Sequence, residues 1–229
     1  MPLTPFQAVI FDCDGVLVDS EQLGLRSLQH ALREAGIERS LVSLARFSGR
    51  SHKETLAQLE TESGVPLLSA GIPDRMDELY MGFVAAEGLR SCPGVCQLLS
   101  RLSDCRIPFT LASSGPRRKV TFSLRSAGLL AYFPRFICGD DVVRAKPAPD
   151  LYLEAAGSIG VDPKCCLAIE DAPNGIKSAR AAGMQVVAVA TSFDWSTLTE
   201  ADLIVESLVQ FTDLWAGLSY FKSSAHCFQ

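Results

Sequence analysis

Ala8-Val9-Ile10-Phe11-Asp12-Cys13-Asp14-Gly15 sets four uninterrupted apolar residues against two carboxylates two positions apart. An apolar run without polar alternation reads as a strand buried on both faces, the habit of parallel sheets. Side chains alternate along a strand, so Asp12 and Asp14 point the same way from its carboxyl end. Two carboxylates side by side repel each other and are costly to desolvate, and a bridging cation removes that cost. Ligands of open parallel sheets bind at this edge. A bare D-x-D-G is explained as well by two solvated turn residues beside Gly15, so its weight depends on the rest of the chain.

Working outward, the runs 109–112, 136–138, 166–169 and 186–190 repeat the strand pattern. Helical periodicities at 94–102, 119–124, 150–156 and 175–182 lie between them, with Pro93 and Pro149 at starts and Gly128 and Gly183 after ends. The alternation predicts an α/β fold, a Rossmann-like parallel sheet with helices on both faces. From Ser20 to Leu89 it breaks. Residues 21–35, 52–63 and 73–87 read as helices with no strand, and Ser51 and Glu54 form a capping box for the middle one. A helical block inserted after the first strand reads as a cap. The predicted division is a core of residues 1–18 and 90–229 and an α-helical cap of residues 19–89. The tail after Gly217 has weak periodicity and is assigned no element.

Three further strand ends carry chemistry. Ala112-Ser113-Ser114-Gly115 places a hydroxyl and loop amides at the sheet edge, where small residues let a phosphate approach the backbone. Lys146 precedes the proline-rich helix start Pro147-Ala148-Pro149, which fixes its ammonium. Cys166-Leu167-Ala168-Ile169 ends in Glu170-Asp171, a second acidic pair. Each feature alone is usually a turn or a surface residue. Together they form an oxygen-only ligand set, which selects a hard ion such as Mg²⁺ that also binds substrate phosphate.

Bulk properties narrow the classes. The 229 residues carry a formal charge of −5, without the basic balance a nucleic-acid partner needs. None of the eight cysteines forms a C-x-x-C pair, so buried reduced thiols are expected rather than zinc or disulfides. No signal peptide or membrane-length apolar run is present. The expectation is a cytoplasmic protein with no membrane partner, a monomer or weak homodimer, acting on a small phosphorylated metabolite.

Taken in order, the four motifs resemble those of haloacid dehalogenase superfamily phosphatases whose helical cap lies between the first and second motifs. Within that superfamily the chain resembles the β-phosphoglucomutase-like and 6-phosphogluconate phosphatase-like groups, and the resemblance runs from residue 8 to about residue 190. It implies Asp12 as nucleophile, forming an aspartyl-phosphate, and Asp14 as proton donor and then base. Ser113 and Lys146 would hold the phosphoryl oxygens. Mg²⁺ would bind Asp12, Asp14 (through its backbone carbonyl), Glu170 and Asp171.

Departures from the pattern bear on the substrate. True dehalogenases lack the second aspartate, so Asp14 argues against halide chemistry. A β-phosphoglucomutase is expected to carry a cap histidine where Gly24 stands, and an arginine where the cap loop has His52. The details F-D-C-D-G-x-L-V-D-S-E, R-F-x-G and Gly115-Pro116 match 6-phosphogluconate phosphatase more closely. Gly49, Arg50, His52, Lys53, Ser114 and Arg117 are the candidate substrate-binding residues, with Arg50 or Arg117 gripping an acidic far end. For Arg117-Arg118-Lys119 as a whole, a solvated charge cluster is the default. The expected activity is therefore hydrolysis of sugar or sugar-acid phosphates, 6-phosphogluconate first. A phosphoryl-returning isomerase and a catalytically silent binding protein are the alternatives.

Overall fold

The computed structural model describes residues 3–47 and 52–217. Gly49, Arg50 and Ser51 of the expected cap loop and capping box, and the tail after Gly217, lie outside the described residues.

β1 (Ala8–Phe11) is an interior strand, pairing Val9 to Phe11 with Phe109 to Leu111 of β2 (Phe109–Leu111) on one side. On the other, Ala8 to Phe11 pair with Cys166 to Ile169 of β3 (Cys166–Glu170). β4 (Gln185–Val189) and β5 (Leu203–Val205) complete a parallel sheet of order β2-β1-β3-β4-β5. This register brings the ends of β1, β2 and β3 to one edge, so Asp12, Ser113 and Glu170–Asp171 meet there. The α/β parallel-sheet expectation holds.

Alternation along the strands splits the apolar side chains between two layers. Val9, Phe11, Leu167, Ile169 and Val187 face α5 (Val95–Asp104), α6 (Arg117–Ser126) and α9 (Leu208–Gly217). Ala8, Ile10, Ala168, Val186 and Ala188 face α7 (Asp150–Ser158) and α8 (Pro173–Ala181). α5 shows why such segments become helices: Val95, Leu98, Leu99 and Leu102 fall on one stripe and are all buried.

Two expectations about strands need correction. Residues 136–138 do not form a strand. Only Ile137 bridges to Ala112, because flanking backbone groups bond to side chains instead of a ladder. The Arg135 carbonyl accepts from Thr110 Oγ1 at 3.0 Å, the Phe136 carbonyl from Arg117 Nη2 at 3.0 Å, and the Cys138 N–H donates to Asp141 Oδ2 at 2.7 Å. The fifth strand is instead Leu203–Val205, three residues long and absent from the sequence reading.

Between β1 and α5 lie α1 (Glu21–Glu34), α2 (Leu41–Leu44), α3 (His52–Ser63) and α4 (Ile72–Glu87). They share an apolar cluster of their own, with Leu28, Leu32, Leu44, Leu56, Leu59 and Met76 at its centre. Leu23 of α1 and Tyr80 and Val84 of α4 belong instead to the sheet's cluster, so these two helices anchor the insert. Arg26 with Glu87 and Arg75 with Glu34 also link α1 to α4, but these pairs are largely exposed and add little. The insert's stability therefore rests on its apolar cluster. Leu56→Ala, at a fully buried position, should cost about 2–5 kcal/mol, read as a lowered urea midpoint.

Candidate active site

Lys146 Nζ sits at the carboxyl edge, 2.6 Å from Asp12 Oδ1, 2.7 Å from Glu170 Oε1 and 3.0 Å from the Ala112 carbonyl. Its side chain is buried and lies over the Tyr152 ring. Glu170 is held from every side. Its Oε1 also accepts from Tyr152 Oη at 2.8 Å, and its Oε2 from the amides of Asp171 and Ala172. These amides precede α8, where a Cβ on Gly175 would overlap the Glu170 carboxylate. Gly15 makes a similar allowance with φ +75, since a Cβ there would overlap Asp171. The chain is thus shaped around its own carboxylates.

Asp12, Glu170 and Asp171 bring carboxylate oxygens within 4.8 Å of one another, all buried. Burial pushes Asp12 up to about 7 against the opposing pull of Lys146, and Glu170 adds to the rise. Burial, with Glu170 and Asp12 alongside, holds Asp171 well above the usual carboxylate range. Three desolvated carboxylates with one ammonium lack positive charge, and their all-oxygen donor set fits a hard divalent ion.

Asp14 lines the same cleft but has partners of its own. Ser20 Oγ donates to its Oδ1 at 2.5 Å, and Lys119 Nζ lies 3.3 Å from its Oδ2. Burial alone would raise its pKa, but Lys119 and Ser20 overcome this and lower it. Lys119 is itself held over the Tyr80 ring, at 4.7 Å, and Tyr80 Oη shares a hydrogen bond with Ser123. Cys13, between the two aspartates, turns into the core. Its thiol is pushed well above its ordinary pKa by burial and by Asp14 and Asp12.

A cleft of about 540 Å³ opens over this edge. Asp12, Asp14, Ser113, Ser114, Lys146, Glu170 and Asp171 line it together with His52 and Lys53 from α3. Burial and Lys119 lower the His52 imidazole to about 4, so it is neutral. Arg117 is not brought in. Its guanidinium pairs with Asp141, bonds the Phe136 carbonyl and stacks on Phe136, and it lines a separate depression beside Met81 and Arg125. Gly49 and Arg50 lie outside the described residues. The sequence reading gave Lys119 only as part of a solvated charge cluster, and it missed Ser20, Tyr152, Asp74 and Asp77. For Lys119 the only available signal was helical geometry: successive residues turn by about 100°, so Arg117, Arg118 and Lys119 cannot share one face.

A model of the family described as haloacid dehalogenase-like hydrolase matches residues 9–189. The chain is 33% identical to hexitol phosphatase A of Escherichia coli, over 89% of this chain and 92% of that one. It is 32% identical to the 6-phosphogluconate phosphatase of the same organism, over 80% and 82%. Among solved structures, a hydrolase from Pseudomonas syringae superposes with a TM-score of 0.82 at 25% identity, covering 93% of this chain and 99% of that one.

Because Gly175 makes room for the Glu170 carboxylate, Gly175→Ala should displace the group that anchors Lys146. The expected cost is roughly 1–3 kcal/mol of stability, measured by urea denaturation.

Proposed function

The chain belongs to the haloacid dehalogenase-like hydrolase family and is a phosphoric monoester hydrolase; on that premise we propose that it cleaves small phosphorylated sugars and sugar acids through an aspartyl-phosphate on Asp12. The observation that carries this reading is Asp12 at the end of β1, 2.6 Å from the buried Lys146 ammonium and grouped with Glu170 and Asp171.

In the first step Asp12 attacks phosphorus, the ester P–O bond breaks, and the leaving oxygen takes a proton from Asp14. Lys146 and the Ser113 hydroxyl hold phosphoryl oxygens as charge spreads over them. In the second step Asp14 removes a proton from water, which attacks the phosphorylated Asp12 and releases inorganic phosphate. Lys119 and Ser20 keep Asp14 ionised, which suits the base of the second step. A phosphate dianion bound nearby raises its proton affinity, which suits the acid of the first. Asp12, Asp171 and the Asp14 backbone carbonyl would hold Mg²⁺, with Glu170 acting directly or through water, and the ion would supply charge neutralisation at the phosphoryl group.

Residues 19–89 act as a cap over a core of residues 1–18 and 90–229, excluding water from the cleft and contacting the non-reacting end of the substrate. His52, Lys53 and Ser114 contribute there. Gly24 lines the cleft with nothing within 4 Å of a would-be Cβ, so this position offers no imidazole, and hydrolysis is favoured over phosphoryl return to the substrate. Hexitol phosphates and 6-phosphogluconate are both candidate substrates. The setting is cytoplasmic, as a monomer or weak homodimer. Among the described residues no helix is long and apolar enough to cross a membrane.

Asp12→Asn should lower phosphate release by on the order of a thousandfold or more while the circular dichroism spectrum is retained. Chelation with EDTA should silence release and added Mg²⁺ restore it; undiminished turnover after thorough chelation counts against the site. Lys119→Met should lower kcat by about tenfold to a hundredfold, by loosening Asp14, with a smaller change in KM.

A further inference from the structure

The portion of the cleft lined by α1 and α4 is rich in acceptors. Among the described residues these helices present Glu21, Asp74 and Asp77 to the cavity. Asp77 stands out because its Oδ1 is buried and has no hydrogen-bond partner. A buried acceptor without a donor is costly, and native structures keep few of them. Burial also raises the carboxyl's pKa, with Asp14 and Asp74 adding to the rise and Lys119 and Arg118 opposing it. Neither cation bonds Oδ1. The Lys119 ammonium is engaged by Asp14 and Tyr80.

Resting on the phosphatase reading above, we propose that Asp77, with Asp74 and Glu21 beside it, reads the non-reacting end of the substrate as a hydrogen-bond donor. The enzyme accordingly prefers phosphorylated polyols and amino-polyols to sugar-acid phosphates. A hydroxyl or ammonium supplies the donor that Oδ1 lacks, whereas a substrate carboxylate is acceptor-only and repelled. Lys53, which also lines the cleft, is solvent-exposed and screened, as Asp74 is, so the buried Oδ1 of Asp77 carries the discrimination. Of the two arginines expected from the sequence to grip an acidic far end, Arg117 is turned away and Arg50 lies outside the described residues.

Sorbitol 6-phosphate and 6-phosphogluconate share a six-carbon chain and differ at the far end, a hydroxymethyl against a carboxylate. With the full chain in Mg²⁺ buffer, kcat/KM should favour sorbitol 6-phosphate by about tenfold or more, chiefly through KM. Asp77→Asn should bring the ratio to within about threefold, and Asp77→Lys should invert it. Asp74→Asn should shift it in the same direction by less, and serves if the Asp77 variants fail to fold. A wild-type ratio at or below one, or an unchanged ratio in folded Asp77→Asn, overturns the inference. p-Nitrophenyl phosphate, which lacks the far end, separates the two levels. Its hydrolysis without a polyol preference removes this inference alone, whereas no release from any of the three compounds removes the phosphatase reading and this inference with it.

Discussion

The ammonium of Lys146 lies between two buried carboxylates, and the carboxyl edge of the sheet is arranged around it. Three segments converge on this point: Asp12 from β1, the Ala112 carbonyl after β2, and Glu170 from β3. Tyr152 from α7 and the amides before α8 then fix Glu170. Removing one member of such a buried set leaves uncompensated charge, typically worth about 3–5 kcal/mol. Net negative charge remains even with Lys146 in place. That makes the edge a poor host for an anionic substrate by itself and a good host for a divalent cation and a phosphate together.

Burial determined how much of this was legible in the sequence. β1 and β3 are apolar runs buried on both faces, so their period and their acidic ends read directly as strand and edge. Asp12, Ser113, Lys146, Glu170 and Asp171 each terminate a strand or fix a helix start, and the structure gathers all five in the cleft. Residues 136–138 have the same apolar look, but side chains claim the backbone groups around Ile137, and composition does not reveal such competition. β5 is too short to rise above the noise of a three-residue window. In Arg117-Arg118-Lys119 the charges are alike, and only rotation around α6 sends Lys119 to Asp14 and Arg117 to Asp141. Asp77 carried no signal either, since an acidic residue on an amphipathic helix is ordinarily solvated.

The insert is tied to the core by the same helix that supplies the acceptors. α4 contributes Met76 to the insert's own cluster, Tyr80 and Val84 to the sheet's cluster, and Asp74 and Asp77 to the cleft. Tyr80 meets Ser123 of α6 and carries Lys119 against its ring. α4 thus lines the cleft with two carboxylates and, through the Tyr80 ring, also backs the Lys119 ammonium that bonds Asp14. A rigid helix holds such groups more closely than a loop does.

Cys13 stands between the two aspartates of the site and is 1% exposed. Thiolates, not thiols, react with peroxides and alkylating agents, and both burial and the flanking carboxylates keep this sulfur protonated. Three consecutive residues just past β1 therefore separate two chemistries: the carboxylates of Asp12 and Asp14 line the cleft, and an inert sulfur lies in the core. Among the described cysteines Cys96 and Cys105 are exposed whereas Cys13 is buried, so an oxidant in solvent meets those two thiols before the one beside the catalytic aspartates.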